Sequence, residues 1–182
     1  MRLKEIERSV FATPAKTRKE NVAEHSWSMA AIFWILKEDF KKEFPEMNSE
    51  KVYDLIQMHD LVEINTGDVS TWVHKDKDQT KEEKESQSLE TIVSLINSEK
   101  AIAFKNLFLE LEAKETIESK IVKGIDRISP AIQRVFTGQG WKDENLSEKD
   151  LDDIQLPRVQ FSKVLTSLYE VLKEEAKTSG IL

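Results

Sequence analysis

The sequence predicts an all-α fold, a helical bundle formed as a single domain over residues 1–182. Three observations carry this. Gly and Pro are scarce, 5 and 4 in 182 residues, while the helix formers Leu, Ile, Glu and Lys are abundant. Apolar residues recur at three- and four-residue spacing through most of the chain. No run alternates apolar and polar residues as a half-buried strand would. A chain of this length builds a hydrophobic core without covalent staples.

Taken in order, residues 1–9 read as a short helix, and Ala12-Thr-Pro-Ala-Lys-Thr-Arg-Lys19 as a connector. Asn21-Val-Ala-Glu24 has a capping residue followed three places later by Glu, which starts a helix through Val22, Met29, Phe33, Leu36 and Phe40. Phe44-Pro45 stops it. A second long helix covers residues 49–65, with Val52, Leu55, Ile56 and Val62 on one stripe and His59 on the same stripe. After Gly67 an irregular loop runs to residue 78. Residues 79–97 form a surface helix that turns apolar at Leu89, Ile92, Val93 and Ile96. The next helix, 100–113, directs Ile102, Leu107, Phe108 and Leu111 inward. Residues 116–129 follow, interrupted by Pro130, then a short helical piece, the turn Thr137-Gly-Gln-Gly-Trp141 and a polar stretch. Pro157 suits the first residue of the final helix, residues 157–178, with Val159, Phe161, Val164, Leu168 and Leu172 apolar.

Composition narrows the function. With no cysteine there is no thiolate metal site, thiol nucleophile or disulfide, and any metal must be held by His and carboxylates. Absence of cysteine suits a reducing cytoplasm. No apolar run approaches the length of a membrane span, and the N-terminus is not a signal peptide. The balance of 27 basic against 34 acidic residues, a net charge of −7, argues against gripping polymeric nucleic acid. A small phosphorylated ligand needs only a metal and a few local cations.

Candidate ligands are His25 on the first long helix, the adjacent His59 and Asp60 on the second, and Asp126 downstream. A histidine facing its own core must satisfy both ring nitrogens, by a metal or by a backbone carbonyl. Asp126 lies between Ile125 and Ile128 on an apolar face, where a carboxylate is costly unless paired, with Arg127 or a helix end, or bound to a cation. Two imidazoles and two carboxylates suit a single divalent transition metal, Mn, Co, Fe, Ni or Zn, with Mg also admissible. Such an ion polarises a phosphorus–oxygen bond and lowers the pKa of water. Glu63, one turn beyond His59, and Asp68, just past Gly67, are candidates to orient that water or move its proton.

The order His … His-Asp … Asp on helices resembles the HD-domain metal-dependent phosphohydrolases. Arg18-Lys-Glu-Asn-Val-Ala-Glu-His-Ser-Trp27 is similar to the first-histidine segment of the branch that includes the 5′-deoxynucleotidases. His59-Asp-Leu-Val-Glu-Ile-Asn-Thr-Gly-Asp-Val69 resembles its second motif, and Asp126-Arg-Ile-Ser-Pro130 with Thr137-Gly-Gln-Gly-Trp141 its third. The likeness spans a motif-bearing core of residues 18–141. It implies an HD-domain helical bundle with His25, His59, Asp60 and Asp126 as metal ligands and Glu63 and Asp68 near the scissile phosphate. It also implies a homodimer that removes the 5′-phosphate from deoxyribonucleoside monophosphates. One departure concerns substrate. The segment that carries an Arg-Trp pair in some of those enzymes reads Val10-Phe11 here, leaving Arg8 or Arg18 to supply the charge.

Other candidates follow from position. Arg18 and Lys19 precede a helix N-terminus, where amides favour an anion, and read as a phosphate clamp or a solvated basic pair. Trp72 in the loop is the candidate wall for a nucleobase, and Lys75 a candidate phosphate contact within an otherwise surface-like run. His74 lacks a motif context. Trp27 and Trp34 read as core or dimer-contact residues, and Lys123 as paired with an acidic neighbour. Rival functions are a nucleoside triphosphate pyrophosphatase, and a non-catalytic regulatory protein that binds metal or nucleotide.

Overall fold

The computed structural model describes residues 2–67 and 79–182, with side chains from residue 83 onward in the second span. Most of the predicted helices form, some with other bounds, and a small hairpin joins them. After a short 3-10 turn at Arg2–Glu5, β1 (Glu7–Phe11) pairs antiparallel with β2 (Lys19–Asn21). Glu7 stands opposite Asn21 and Phe11 opposite Lys19, so the longer strand bulges between them. The expected helix over residues 1–9 is thus a turn and a strand. The strand was too short to announce itself by alternation, and glutamines distant in sequence hold it. Phe11 N donates to Gln139 Oε1 at 3.0 Å, and Gln133 Nε2 donates to the carbonyls of Phe11 at 2.8 Å and Ala12 at 3.0 Å.

β2 runs directly into α1 (Val22–Glu43), started by the predicted capping box of Asn21 and Glu24 and closed at Phe44. Val22, His25, Met29, Phe33 and Phe40 form its buried stripe. Trp27 and Trp34 do not join the core. They are 73% and 69% exposed, on the opposite face from that stripe.

The predicted helix over 49–65 divides. α2 (Ser49–Met58) begins at the Asn48 cap, residues 59–62 form a turn, and α3 (Glu63–Thr66) follows, ending at Gly67 with φ 75°. In the turn Leu61 N bonds Met58 O at 3.2 Å and Glu63 N bonds Asp60 O at 3.0 Å, a tightening to three-residue spacing.

α4 (Gln79–Ser94) and α5 (Ser98–Ala113) close a small cluster of Val62, Leu89 and Phe104. Ile102, expected inward, is 63% exposed, and Phe104 fills that role. α6 (Ile117–Thr137) is the central helix and packs against α1, α2, α5, α7 and α8. Ile121, Val122, Ile125 and Ile128 are fully buried along it. It runs through Pro130, contrary to the expected interruption. The ring removes only the donor that the Asp126 carbonyl would have met, and packing on several sides holds the turn.

The polar stretch before Pro157 is itself a helix, α7 (Glu148–Val159), started by Ser147 and Asp150. Pro157 therefore lies in its last turn, not at the start of the final helix. That helix, α8 (Lys163–Thr178), is capped by Ser162, and Glu43 at the end of α1 accepts from Lys163 N at 2.6 Å. Leu165, Tyr169, Lys173 and Ala176 are its buried residues, with Val164, Leu168 and Leu172 only partly covered. α6 and the end of α7 meet at Gly124, where a Cβ would lie 3.2 Å from the Arg158 carbonyl and 2.5 Å from Leu165 Cδ1. Among the described residues no helix is long and apolar enough to cross a membrane.

Candidate metal centre

His25, His59, Asp60 and Asp126 arrive from α1, the turn after α2, and α6. Donor atoms of His25, His59 and Asp126 lie within 4.8 Å of one another. His25 Nε2 is 3.1 Å from Asp126 Oδ1 and 4.0 Å from Asp60 Oδ2. The imidazole centroids are 5.5 Å apart.

The break after Met58 explains how neighbours in sequence reach one point. In a straight helix successive side chains diverge by about 100°. In the tightened turn His59 Nε2 and Asp60 Oδ2 come to 2.9 Å. The His59 ring is oriented from behind: Nδ1 donates to the Ile56 carbonyl at 2.7 Å. A carbonyl only accepts, so the proton is fixed on Nδ1 and the Nε2 lone pair turns toward the carboxylates. That buried Nε2 makes no hydrogen bond among the described residues, since its contact with Asp60 lacks the geometry of one. A lone pair and two carboxylates converging in a buried place is what a cation site requires.

The protonation pattern reflects the negative charge gathered here. Burial, with the positive charge of Arg8, lowers the His25 pKa and keeps that ring neutral. Burial would do the same to His59, but Asp60 and Asp126 outweigh it and its pKa is raised. Burial would raise Asp126, yet the hydrogen bond with His25 and the charges of His59 and Arg127 hold it well below the usual carboxylate range. Asp60 is likewise lowered against burial, chiefly by His59. Two ionised carboxylates therefore face one another at the cluster.

A cavity of about 260 Å³ opens from these residues, near the lower end of the range for small-molecule sites. His59, Asp60, Glu63 and Asp126 line it, together with Arg8, Arg127 and Arg158. Glu63, at the start of α3, is buried with 9% exposure. Of the two arginines the sequence offered, Arg8 is the one at the cluster: it ion-pairs with Asp60 and with Glu20, each at 3.5 Å. Arg18 instead forms a two-pronged pair with Glu24 at 2.7 and 2.8 Å and lines a different cavity. Lys19 donates to the Ser9 carbonyl and lies over the Phe11 ring. Neither is brought to the cluster, because capping and hairpin contacts engage both. Lys123 pairs with Glu112 at 2.9 Å, as expected. Asp68, Trp72 and Lys75 lie outside the described residues.

Two residues went unnoticed in the sequence. Glu20, 3% exposed on β2, reaches His25 Nδ1 at 3.9 Å and anchors Arg8. Ser129, one helical turn beyond Asp126, is 3.4 Å from the same nitrogen. Only the latter carried a signal, its spacing from Asp126 on one helix.

Comparison with known proteins places the chain in a family. A protein-family model described as an HD domain matches residues 1–165. The chain is 28% identical over 150 residues to a 5′-deoxynucleotidase of Schizosaccharomyces pombe, covering 76% of this chain and 71% of that protein. It is 24% identical over 131 residues to a 5′-deoxynucleotidase of Homo sapiens, covering 72% of this chain and 61% of the human protein. It therefore spans somewhat under two thirds of the human enzyme's length. A crystal structure of a "predicted metal-dependent phosphohydrolase" from Magnetospirillum magnetotacticum superposes with a TM-score of 0.84 at 29% identity, covering 100% of this chain and 89% of that one. A conserved hypothetical protein from Pyrococcus furiosus gives a TM-score of 0.65 at 25% identity, covering 97% and 94%.

Proposed function

The chain belongs to the HD-domain family, and from that premise we propose that it is a metal-dependent phosphohydrolase acting on deoxyribonucleoside 5′-monophosphates. The observation that carries the reading is the convergence of His25, His59 and Asp126 within 4.8 Å, with Asp60 against His59. These four side chains are the proposed holders of one divalent ion, Mn, Co, Fe, Ni or Zn, with Mg admissible. When bound, the ion supplies Lewis-acid polarisation of the phosphoryl group and acidifies water at neutral pH.

The chain's own residues do the rest. The Ile56 carbonyl and the Ser129 hydroxyl orient the two imidazoles. Arg8, pairing with Asp60, brings positive charge to where the phosphate oxygens gather. Glu63, buried at the cavity wall, takes the proton of the attacking water. Asp68 is the second candidate to orient that water or move its proton. Residues 1–182 act as one domain in this reading, in the cytoplasm. A homodimer is proposed through the α1 stripe of Trp27, Trp34 and Ile35, each more than two thirds exposed at helical spacing.

The test is a release screen over nucleoside mono-, di- and triphosphates with Mn, Co, Ni, Zn and Mg. Inorganic phosphate from deoxyribonucleoside monophosphates is the expected product. Pyrophosphate from triphosphates would replace the reading with a pyrophosphatase, and nucleotide binding without release would replace it with a regulatory protein.

A further inference from the structure

The wall of the cavity formed by α7 carries a residue that the proposed hydrolysis does not use. Gln155 is 3% exposed and lines the same cavity as His59, Asp60, Glu63 and Asp126. Its buried Oε1 has no hydrogen-bond partner among the described residues. A buried amide is costly unless satisfied, so an unsatisfied one at a cavity wall points to a ligand that completes it. Arg158, one turn further along α7, lines the cavity too. Its carbonyl meets α6 at Gly124, which sets the end of α7 against the turn that holds Asp126 and Arg127. The amide and the guanidinium thus share one cavity with His59, Asp60 and Asp126.

The chemistry of the amide selects the ligand. A primary amide offers one acceptor and one donor group side by side in a plane, whichever way it is turned. A phosphate oxygen only accepts, and a sugar hydroxyl meets one end at a time. A nucleobase edge presents an adjacent donor and acceptor and meets both. Arg158 adds further donors for a base carbonyl or ring nitrogen. We propose that Gln155, with Arg158 beside it, recognises the hydrogen-bonding edge of the substrate's nucleobase while the phosphate lies at the His25, His59, Asp60 and Asp126 cluster. The inference rests on the nucleotidase reading above and assigns Gln155 to specificity, not to bond cleavage.

The experiment compares substrates with and without a base. kcat/KM is measured for the four common deoxyribonucleoside 5′-monophosphates and for 2-deoxyribose 5-phosphate, with wild type, Gln155→Leu, Gln155→Met and Arg158→Ala. Expected is a loss of about tenfold on the nucleotides in the Gln155 variants, carried by KM. The loss on 2-deoxyribose 5-phosphate should be at least about fivefold smaller, and Arg158→Ala, an exposed position, should shift the ratio in the same direction. Equal losses on both kinds of substrate in both Gln155 variants would overturn the inference, because a merely structural glutamine affects them alike. Calorimetric binding of dCMP against 2-deoxyribose 5-phosphate gives a readout independent of turnover. A wild type that releases no phosphate from any substrate refutes the nucleotidase reading. The base inference stands if dCMP still binds more tightly through Gln155, and falls if the two ligands bind alike.

Discussion

Replacing Asp126 by Asn keeps the shape of the side chain and removes the charge that an ion would need. The perturbation is read as a difference within each protein, the melting temperature with a divalent ion minus that with chelator. A site occupied at 100 times its Kd stabilises the folded state by about 2.7 kcal/mol. For a chain of 182 residues each kcal/mol is worth roughly 2–4 °C, so the wild-type shift should be about 5–11 °C. Asp126 supplies one of two ionised carboxylates, with its Oδ1 3.1 Å from His25 Nε2. Losing it should weaken the ion at least ~100-fold, since even residues behind the ligands are worth ~10–100-fold. At the same ion concentration the site is then half filled, and stabilisation falls to about 0.4 kcal/mol, a shift of less than about 2 °C. Thermal unfolding followed by circular dichroism with Mn or Co measures it. Asp126→Asn also loses the favourable partners of the charge in the chelated protein, but that change cancels in the difference. A variant that kept the full ion-induced shift would refute the placement of Asp126 among the ligands.

Glu63→Ala should retain the ion-induced shift in melting temperature while phosphate release falls by about 10²–10⁴, as for loss of a general base; unchanged turnover removes Glu63 from the mechanism. Burial works to raise the pKa of Asp152, but hydrogen bonds from Tyr169 and Lys173 outweigh it and lower it from its ordinary 3.8. Its folded pKa is the depressed one, so its contribution is complete above the ordinary value and is lost as pH falls through the folded value. Asp152→Asn should therefore cost about 1 kcal/mol at pH 7 and lose that penalty in strong acid, as followed by urea unfolding. Gly124→Ala would set a methyl 2.5 Å from Leu165 Cδ1. Overpacking of about 1–3 kcal/mol exceeds the helix-propensity gain of about 1, so the melting temperature should drop by a few degrees. Trp27→Glu with Trp34→Glu should move the protein from dimer to monomer in sedimentation, and no change would exclude the α1 face as the contact.

How far the sequence carried the structure depended on the range over which each feature is encoded. The start of α1 was legible because the capping box of Asn21 and Glu24 lies within four residues. The cluster of His25, His59, Asp60 and Asp126 was legible because His59 shares a stripe with Val52, Leu55 and Ile56 and because the three motifs resemble one branch of the family. The hairpin was not, since Gln133 and Gln139 supply its anchoring bonds from more than a hundred residues away. Pro130 and Pro157 were read as boundaries because proline disfavours helix interiors locally, and the packing that overrides this is tertiary. Arg18 resembled a phosphate clamp by position alone. Its carboxylate partner, Glu24, is visible in the sequence, but that it engages Arg18 is not.

The division of the second motif helix joins these threads. A continuous helix from 49 to 65 would put His59 in the core and carry Asp60 about 100° around the axis, away from it. The tightened turn at 59–62 lets both converge, and it also places Glu63 at the head of a new short helix facing the cavity. The apolar pattern continues unbroken through Val62, which is why periodicity alone joined the two helices. What the chain gives up in helical hydrogen bonding at that turn it recovers through Ile56, whose carbonyl receives the His59 proton instead of serving the ladder alone. His59 and Asp60 therefore meet only because the backbone beneath them departs from the α-helix, so changes that restore a straight helix there should separate the two side chains without touching either.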